Sequence, residues 1–179
     1  YIGVPMFYDA HRNVLPSREA PGTYSTYALR DEAIKTIVQR AESGHKEELF
    51  MYLAFNAMHG DVSVPDEFLE SKTFRGLGIV DGVKLSPERQ LTAGCQFLMD
   101  EAVGDIVSTL KEHGMYDNTI IALASDNGGS YSAAGSNYPL RGTKGLYSEG
   151  GIKVPAMIHS PLLSEAARGS VFNGLMHVT

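Results

Sequence analysis

No apolar stretch in this 179-residue sequence approaches the ~20 residues needed to cross a bilayer, so nothing in it reads as a membrane span. Cysteine occurs once, which excludes an intrachain disulfide framework without fixing the redox compartment. Basic residues are outnumbered, 15 Lys+Arg against 21 Asp+Glu, and form no run, which argues against a nucleic-acid footprint. There is no internal repeat, no low-complexity tract and no N-x-[ST] sequon. Tyr1 is not followed by a charged segment and an apolar one, as a leader would be. The rest is ordinary. A hydrophobic content of 43% and a charged content of 20% exclude wholesale disorder, and the length suits about one domain with a real core.

Residues 1–23 carry Pro5, Pro16, Pro21 and Gly22 with no sustained period and read as loop. Ser25 or Thr26 then offers an N-cap to a helix over 26–42. Its apolar face is Leu29, Ala33, Ile37 and Ala41, with Ile34 and Val38 beside them, and Gly44 ends it. The run LFMYLAF (49–55) is strand-length and does not alternate, which predicts a strand covered on both faces. Residues 56–65 read as loop, and 66–85, with Gly76, Gly78 and Gly82, as irregular. Ser86-Pro87-Glu88 is a strong helix start. The stripe Leu91, Cys95, Leu98, Met99, Ala102, Ile106, Val107 and Leu110 follows, and His113-Gly114 closes it. TIIALA (119–124) and VPAMIH (154–159) are two further buried-strand candidates. Helices alternating with short apolar strands predict an α/β fold with a mostly parallel sheet.

In such sheets ligands gather beyond the carboxyl ends of the strands. The first predicted strand runs into Asn56-Ala57-Met58-His59 and the second into Ser125-Asp126-Asn127-Gly128-Gly129. Asp126 and Asn127 bring a carboxylate and an amide carbonyl, hard oxygen donors suited to Ca²⁺ or Mg²⁺, and the glycines allow both to reach one ion. The same four letters also make a plain turn. His59 stands either where a titratable ring meets a substrate or as an ordinary loop histidine. Arg141 and Lys144 can bind a sulfate or phosphate, or be solvated surface charges. Glu149-Gly150-Gly151 reads as a tight bend, and Cys95, on the apolar stripe, as a buried hydrophobe and not a nucleophile.

Taken together, S-D-N-G-G (125–129), N-Y-P-L-R-G-T-K (137–144) and E-G-G-I-K-V-P (149–155) resemble the type I sulfatases, most of all the animal arylsulfatase B group, the N-acetylgalactosamine sulfatases. M-Y-L-A-F-N-A-M-H (51–59) and F-L-M-D-E-A-V-G-D-I (97–106) agree in order, so the resemblance covers about residues 24–179. It implies an alkaline-phosphatase-like fold with a mixed, mostly parallel sheet between helices, incomplete here. It makes 1–179 an internal part of one sulfatase catalytic domain, short of the N-terminal nucleophile region and the C-terminal subdomain. The family hydrolyses sulfate esters with a formylglycine hydrate, made from the Cys of a C-x-P-S-R motif, and a calcium ion. By position Asp126 and Asn127 match its second pair of calcium ligands, Lys144 the sulfate-binding lysine, and His59 the histidine on the sulfate or its leaving oxygen.

Three features depart from that pattern. Val14 stands where Cys should be in V-L-P-S-R (14–18), no consecutive Asp pair occurs early, and Gly60-Asp61 follow His59 where relatives carry a Pro. The resemblance therefore implies that the formylglycine lies outside these residues and that the chain by itself turns nothing over. The implied partner is a sulfated carbohydrate or an aryl sulfate, with no nucleic acid and no membrane, at a lysosomal or secreted address. Three alternatives stand beside it: a phosphodiesterase or phosphatase of the same superfamily, a non-catalytic sulfatase-like binding domain, and an inert fragment.

Overall fold

A computed structural model describes residues 22–44, 48–60 and 62–174. The expectations for residues 1–21, including V-L-P-S-R, lie outside them. Helix α1 spans Ser25–Glu42 and buries Ala28, Leu29, Ala33 and Ile37, the face its four-residue period predicts, while Ala41 is exposed. The cap differs from expectation. Tyr24 holds the cap position without a side-chain bond, because Thr26 is fully buried beneath the first turn. Past the end, Gly44 takes φ +66°, the left-handed conformation that suits glycine after a helix.

Residues 66–85 are more regular than their glycines suggest. Short helices α2 (Asp66–Leu69) and α3 (Lys72–Leu77) precede a hairpin of β1 (Ile79–Val80) and β2 (Val83–Lys84). Asp81 and Gly82 turn it with φ +50° and +78°, as a two-residue Asp-Gly hairpin requires.

Helix α4, Pro87–Glu112, is the longest element, about 39 Å at 1.5 Å per residue. Ser86 Oγ accepts from Arg89 N at 3.2 Å and Pro87 fills the first turn, as the sequence predicts. Of its stripe, Cys95, Leu98, Ala102 and Leu110 are buried and the other four positions half-buried. Helix α1 packs along α4, and Arg30 Nη1 reaches Asp105 Oδ2 at 3.2 Å across the pair. Val64, Cys95 and Leu98 form the centre of the core, covered by Tyr24, Tyr27 and Phe97. Each fully buried side chain of leucine size adds about 1.5–3 kcal/mol, so this seam holds the described part together.

Strand β3 (Ile121–Ala124), helical turn α5 (Glu149–Ile152) and strand β4 (Ala156–His159) complete the order. The strands pair antiparallel, Ile121 opposite His159 through Ala124 opposite Ala156. Both described ladders are antiparallel, where the apolar runs had pointed to parallel partners. The segment between β3 and β4 contains no long crossover helix, and parallel neighbours need one. Residues 49–55 form no strand and make no ladder bond among the described residues. Phe50, Tyr52 and Ala54 face outward and Met51, Leu53 and Phe55 are half-buried, so the run is covered on one side and not on both. No helix among the described residues is long and apolar enough to cross a membrane.

Candidate functional site

Beyond β3 the chain enters a cluster of loops held together by backbone hydrogen bonds. Ser125 N donates to Pro155 O at 3.3 Å and prolongs the β3–β4 ladder by one step. Gly128 N donates to Gly151 O at 2.9 Å, Gly150 N to Arg141 O at 2.8 Å, and Lys144 N to Gly129 O at 3.3 Å. The three motifs 125–129, 137–144 and 149–155 therefore meet in one place.

Glycine makes this approach possible. A Cβ on Gly128 would overlap the carbonyl oxygen of Gly150, and one on Gly151 the carbonyl of Leu146. A Cβ on Gly150 would lie 2.5 Å from Gly142 O and 2.7 Å from Arg141 O. Glu149-Gly150-Gly151 is thus the start of a helical turn, closed by Lys153 N on Glu149 O at 2.8 Å, and not a simple bend.

Asn137 ties the loops together, a role that reading the sequence did not assign. Its Oδ1 accepts from Gly129 N at 2.7 Å. Its Nδ2 donates to Gly129 O at 2.8 Å and to Gly142 O at 3.1 Å. Only an amide side chain offers both a carbonyl and an NH₂ in one plane, and its place inside N-Y-P-L-R-G-T-K was the available signal. Thr143 Oγ1 adds a bond to Gly129 O at 2.8 Å. From the other side α4 holds the turn Tyr131–Ala133, through Arg89 Nη1 on Ala134 O and Thr92 Oγ1 on Ala133 O. We expect Asn137→Ala to cost about 1–3 kcal/mol, the penalty for stranding partly buried polar groups, read as a lower urea midpoint. Asn137→Asp keeps only the acceptor and should fall between the two.

The four candidate residues are presented differently. Asp126 is exposed, and its carboxylate makes no hydrogen bond or ion pair among the described residues. Asn127 is half-buried, and its Nδ2 donates to Gly128 O at 3.1 Å. That bond occupies the nitrogen and leaves the amide oxygen available as a hard donor. Ser125 Oγ donates to Asn127 O at 2.8 Å, which steadies the turn. Lys144 and Arg141 are exposed and form no ion pair among the described residues, so neither charge is spent on Asp126. No group of three or more His, Cys, Asp or Glu side chains that could hold a metal occurs among the described residues. This agrees with a pair that supplies only part of a shell.

His59 lies apart from that cluster in the hydrogen-bond network. It sits in an exposed turn, its N–H on Asn56 O at 3.1 Å, after Met58 at φ +70°. No hydrogen bond joins it to residues 125–151 among the described residues. Its loop is anchored to α4 by Cys95, whose Sγ donates to Ser63 O at 3.1 Å. Burial pushes the Cys95 thiol up, against the lowering effect of hydrogen bonds from Tyr24 and the backbone. Burial, with the Cys95 contact, also raises the Tyr24 phenol. Cys95 is therefore a protonated packing residue, as its place on the stripe predicts. A cavity of about 210 Å³ lined by Val62, Glu88, Leu91, Ser132 and Ala133 contains none of the four candidates.

Comparison with known proteins bears on this arrangement directly. The sequence profile of the sulfatase family matches residues 3–178. The chain belongs to the sulfatase family. It is 36% identical over 158 residues to arylsulfatase J of Mus musculus, covering 88% of this chain and 24% of that protein. It is 29% identical over 126 residues to N-acetylgalactosamine-6-sulfatase of Rattus norvegicus, covering 68% of this chain and 21% of that protein. The solved structure of Ps i-CgsB in complex with k-i-k-neocarrahexaose superposes with a TM-score of 0.70 at 34% identity, over 84% of this chain and 30% of that one. The expected fold class, an incomplete α/β core of alkaline-phosphatase-like type, is thereby borne out. The chain spans about a quarter of the length of the curated relatives it matches.

Proposed function

We propose that this chain is part of a sulfatase that hydrolyses sulfate esters of carbohydrates, and that its residues supply one half of a calcium site and the cations that hold the sulfate. One observation carries the reading. The motif loops converge so that a free carboxylate, a free amide oxygen and two cations without ion-pair partners share one glycine-packed cluster. Family membership and the carbohydrate complex of a relative support the substrate class. A lysosomal or secreted address goes with it.

Asp126 and Asn127 would hold the ion, which when bound supplies a Lewis acid for the sulfate oxygens. Lys144, with Arg141 beside it in sequence, draws in and orients the anion, and its fixed charge favours the build-up of negative charge as the ester bond breaks. His59 is assigned to the leaving oxygen, where a ring nitrogen can donate a hydrogen bond. The residues of this chain do not fit a formylglycine. Its one cysteine is buried on α4 and lies outside a C-x-P-S-R motif, so no step is derived through that group.

The test is calcium titration followed by amide NMR. Calcium at about 10 mM, tenfold above the weakest common protein sites, should shift the amides of residues 125–129. Asp126→Ala should abolish the shifts while leaving the α1 and α4 signals in place. Unchanged amides at that concentration, or tight stoichiometric zinc in place of calcium, would refute the metal assignment.

A further inference from the structure

Tyrosines surround the R-G-T-K turn. Tyr131, Tyr138 and Tyr147 are 65%, 91% and 97% exposed, the last two almost wholly in solvent. Each is tied to Gly142, between Arg141 and Thr143. Tyr131 Oη donates to Gly142 O at 3.3 Å. Tyr138 follows Asn137, whose Nδ2 donates to the same carbonyl at 3.1 Å. Tyr147 precedes Ser148, whose hydroxyl occupies the space where a Gly142 side chain would be. The backbone beneath these rings is among the most tightly laced in the molecule, so the rings stand on a held base and not on a loose tip.

A phenol ring left in water forgoes a large burial, and several around one cationic turn are not scattered surface residues. The combination of aromatic faces and fixed cations matches a ligand that carries a sulfate and an apolar face on one ring. We infer that Tyr138 and Tyr147 form a stacking subsite for the sugar ring that bears the sulfate, and so select sulfated glycans over small sulfates. Lys144 takes the anion, and the tyrosine faces take the C–H face of the pyranose. This rests on the sulfate-binding reading of Lys144 given above.

The experiment is calorimetric or NMR titration of the chain with a sulfated hexasaccharide of galactose units, its desulfated counterpart, and inorganic sulfate. The sulfated sugar should bind more tightly than sulfate alone. Tyr138→Ala and Tyr147→Ala should each weaken it about three- to tenfold, the usual size of an aromatic contact, with sulfate binding unchanged. Tyr138→Phe and Tyr147→Phe should retain the affinity, because the ring face is kept. Lys144→Ala should weaken both ligands. If the alanine variants bind the sugar as well as the parent does while Lys144→Ala still loses sulfate, the subsite is wrong and the sulfate reading stands. If neither ligand binds, both fall. Self-association that the alanine variants abolish would assign the tyrosines to a contact between copies and would overturn the subsite.

Discussion

Gly128→Ala should disassemble the loop cluster. The new methyl would overlap the carbonyl oxygen of Gly150 and approach Gly150 C at 2.8 Å and Gly151 Cα at 3.0 Å. All three are backbone atoms, so no side chain can rotate out of the way. Space is the whole objection, since Gly128 does not occupy the left-handed region. Overpacking of a side chain costs about 1–3 kcal/mol, and a rigid backbone neighbour places this substitution at the top of that range or above it. The Gly128–Gly151 hydrogen bond is lost with the displacement. The calcium-dependent amide shifts of residues 125–129 should vanish, although residue 128 offers no side-chain ligand of its own. Circular dichroism should meanwhile report α1 and α4 intact, because the helical seam does not contain Gly128. A Gly128→Ala protein that keeps both its urea midpoint and its calcium response would show that the loops do not approach as described.

Leu98→Ala should produce the largest loss of global stability. Leu98 is 1% exposed and shares its cluster with Val64 and Cys95, under Tyr24 and Tyr27 of the first helix. Truncating such a leucine costs about 2–5 kcal/mol, from lost transfer energy and from the cavity left behind. A domain's whole stability is about 5–15 kcal/mol. The urea midpoint should therefore fall by about 1–2 M. Leu98→Met, which conserves volume, should cost less than about 1.5 kcal/mol. The change also removes support from Val64 and from the contact by which Cys95 holds the His59 loop, so exchange of the amides around residues 56–64 should quicken beyond the global effect. Equal midpoints for the alanine and methionine variants would mean that the site collapses without a cavity.

These expectations trace back to different levels of information. Helix α4 was legible because cap, proline and stripe all agree over 26 residues, and α1 because its apolar period matches its buried face. Ser125 to Gly129 and Arg141 to Lys144 could be singled out because hard oxygens, glycines and cations in those orders have few structural uses. Asn137 could not. Its importance lies in bridging Gly129 and Gly142, 8 and 5 residues away, and nothing local marks a bridge. The apolar run at 49–55 was misjudged for a related reason. Hydrophobicity reports how much of a segment is covered, and Phe50 and Tyr52 are apolar yet exposed.

Composition and pattern by themselves determined the helical pair, the absence of a membrane span in the sequence, and the residue types available for an anion and a hard cation. Those follow from short-range periodicity and from the chemistry of single side chains. Only the tertiary structure decided the antiparallel pairing of β3 with β4, the separation of His59 from the loop cluster, and the meeting of Gly128, Gly142 and Gly151. Pairing direction and loop approach depend on where distant backbone atoms can come close. That is settled by which positions lack a side chain once the chain has folded.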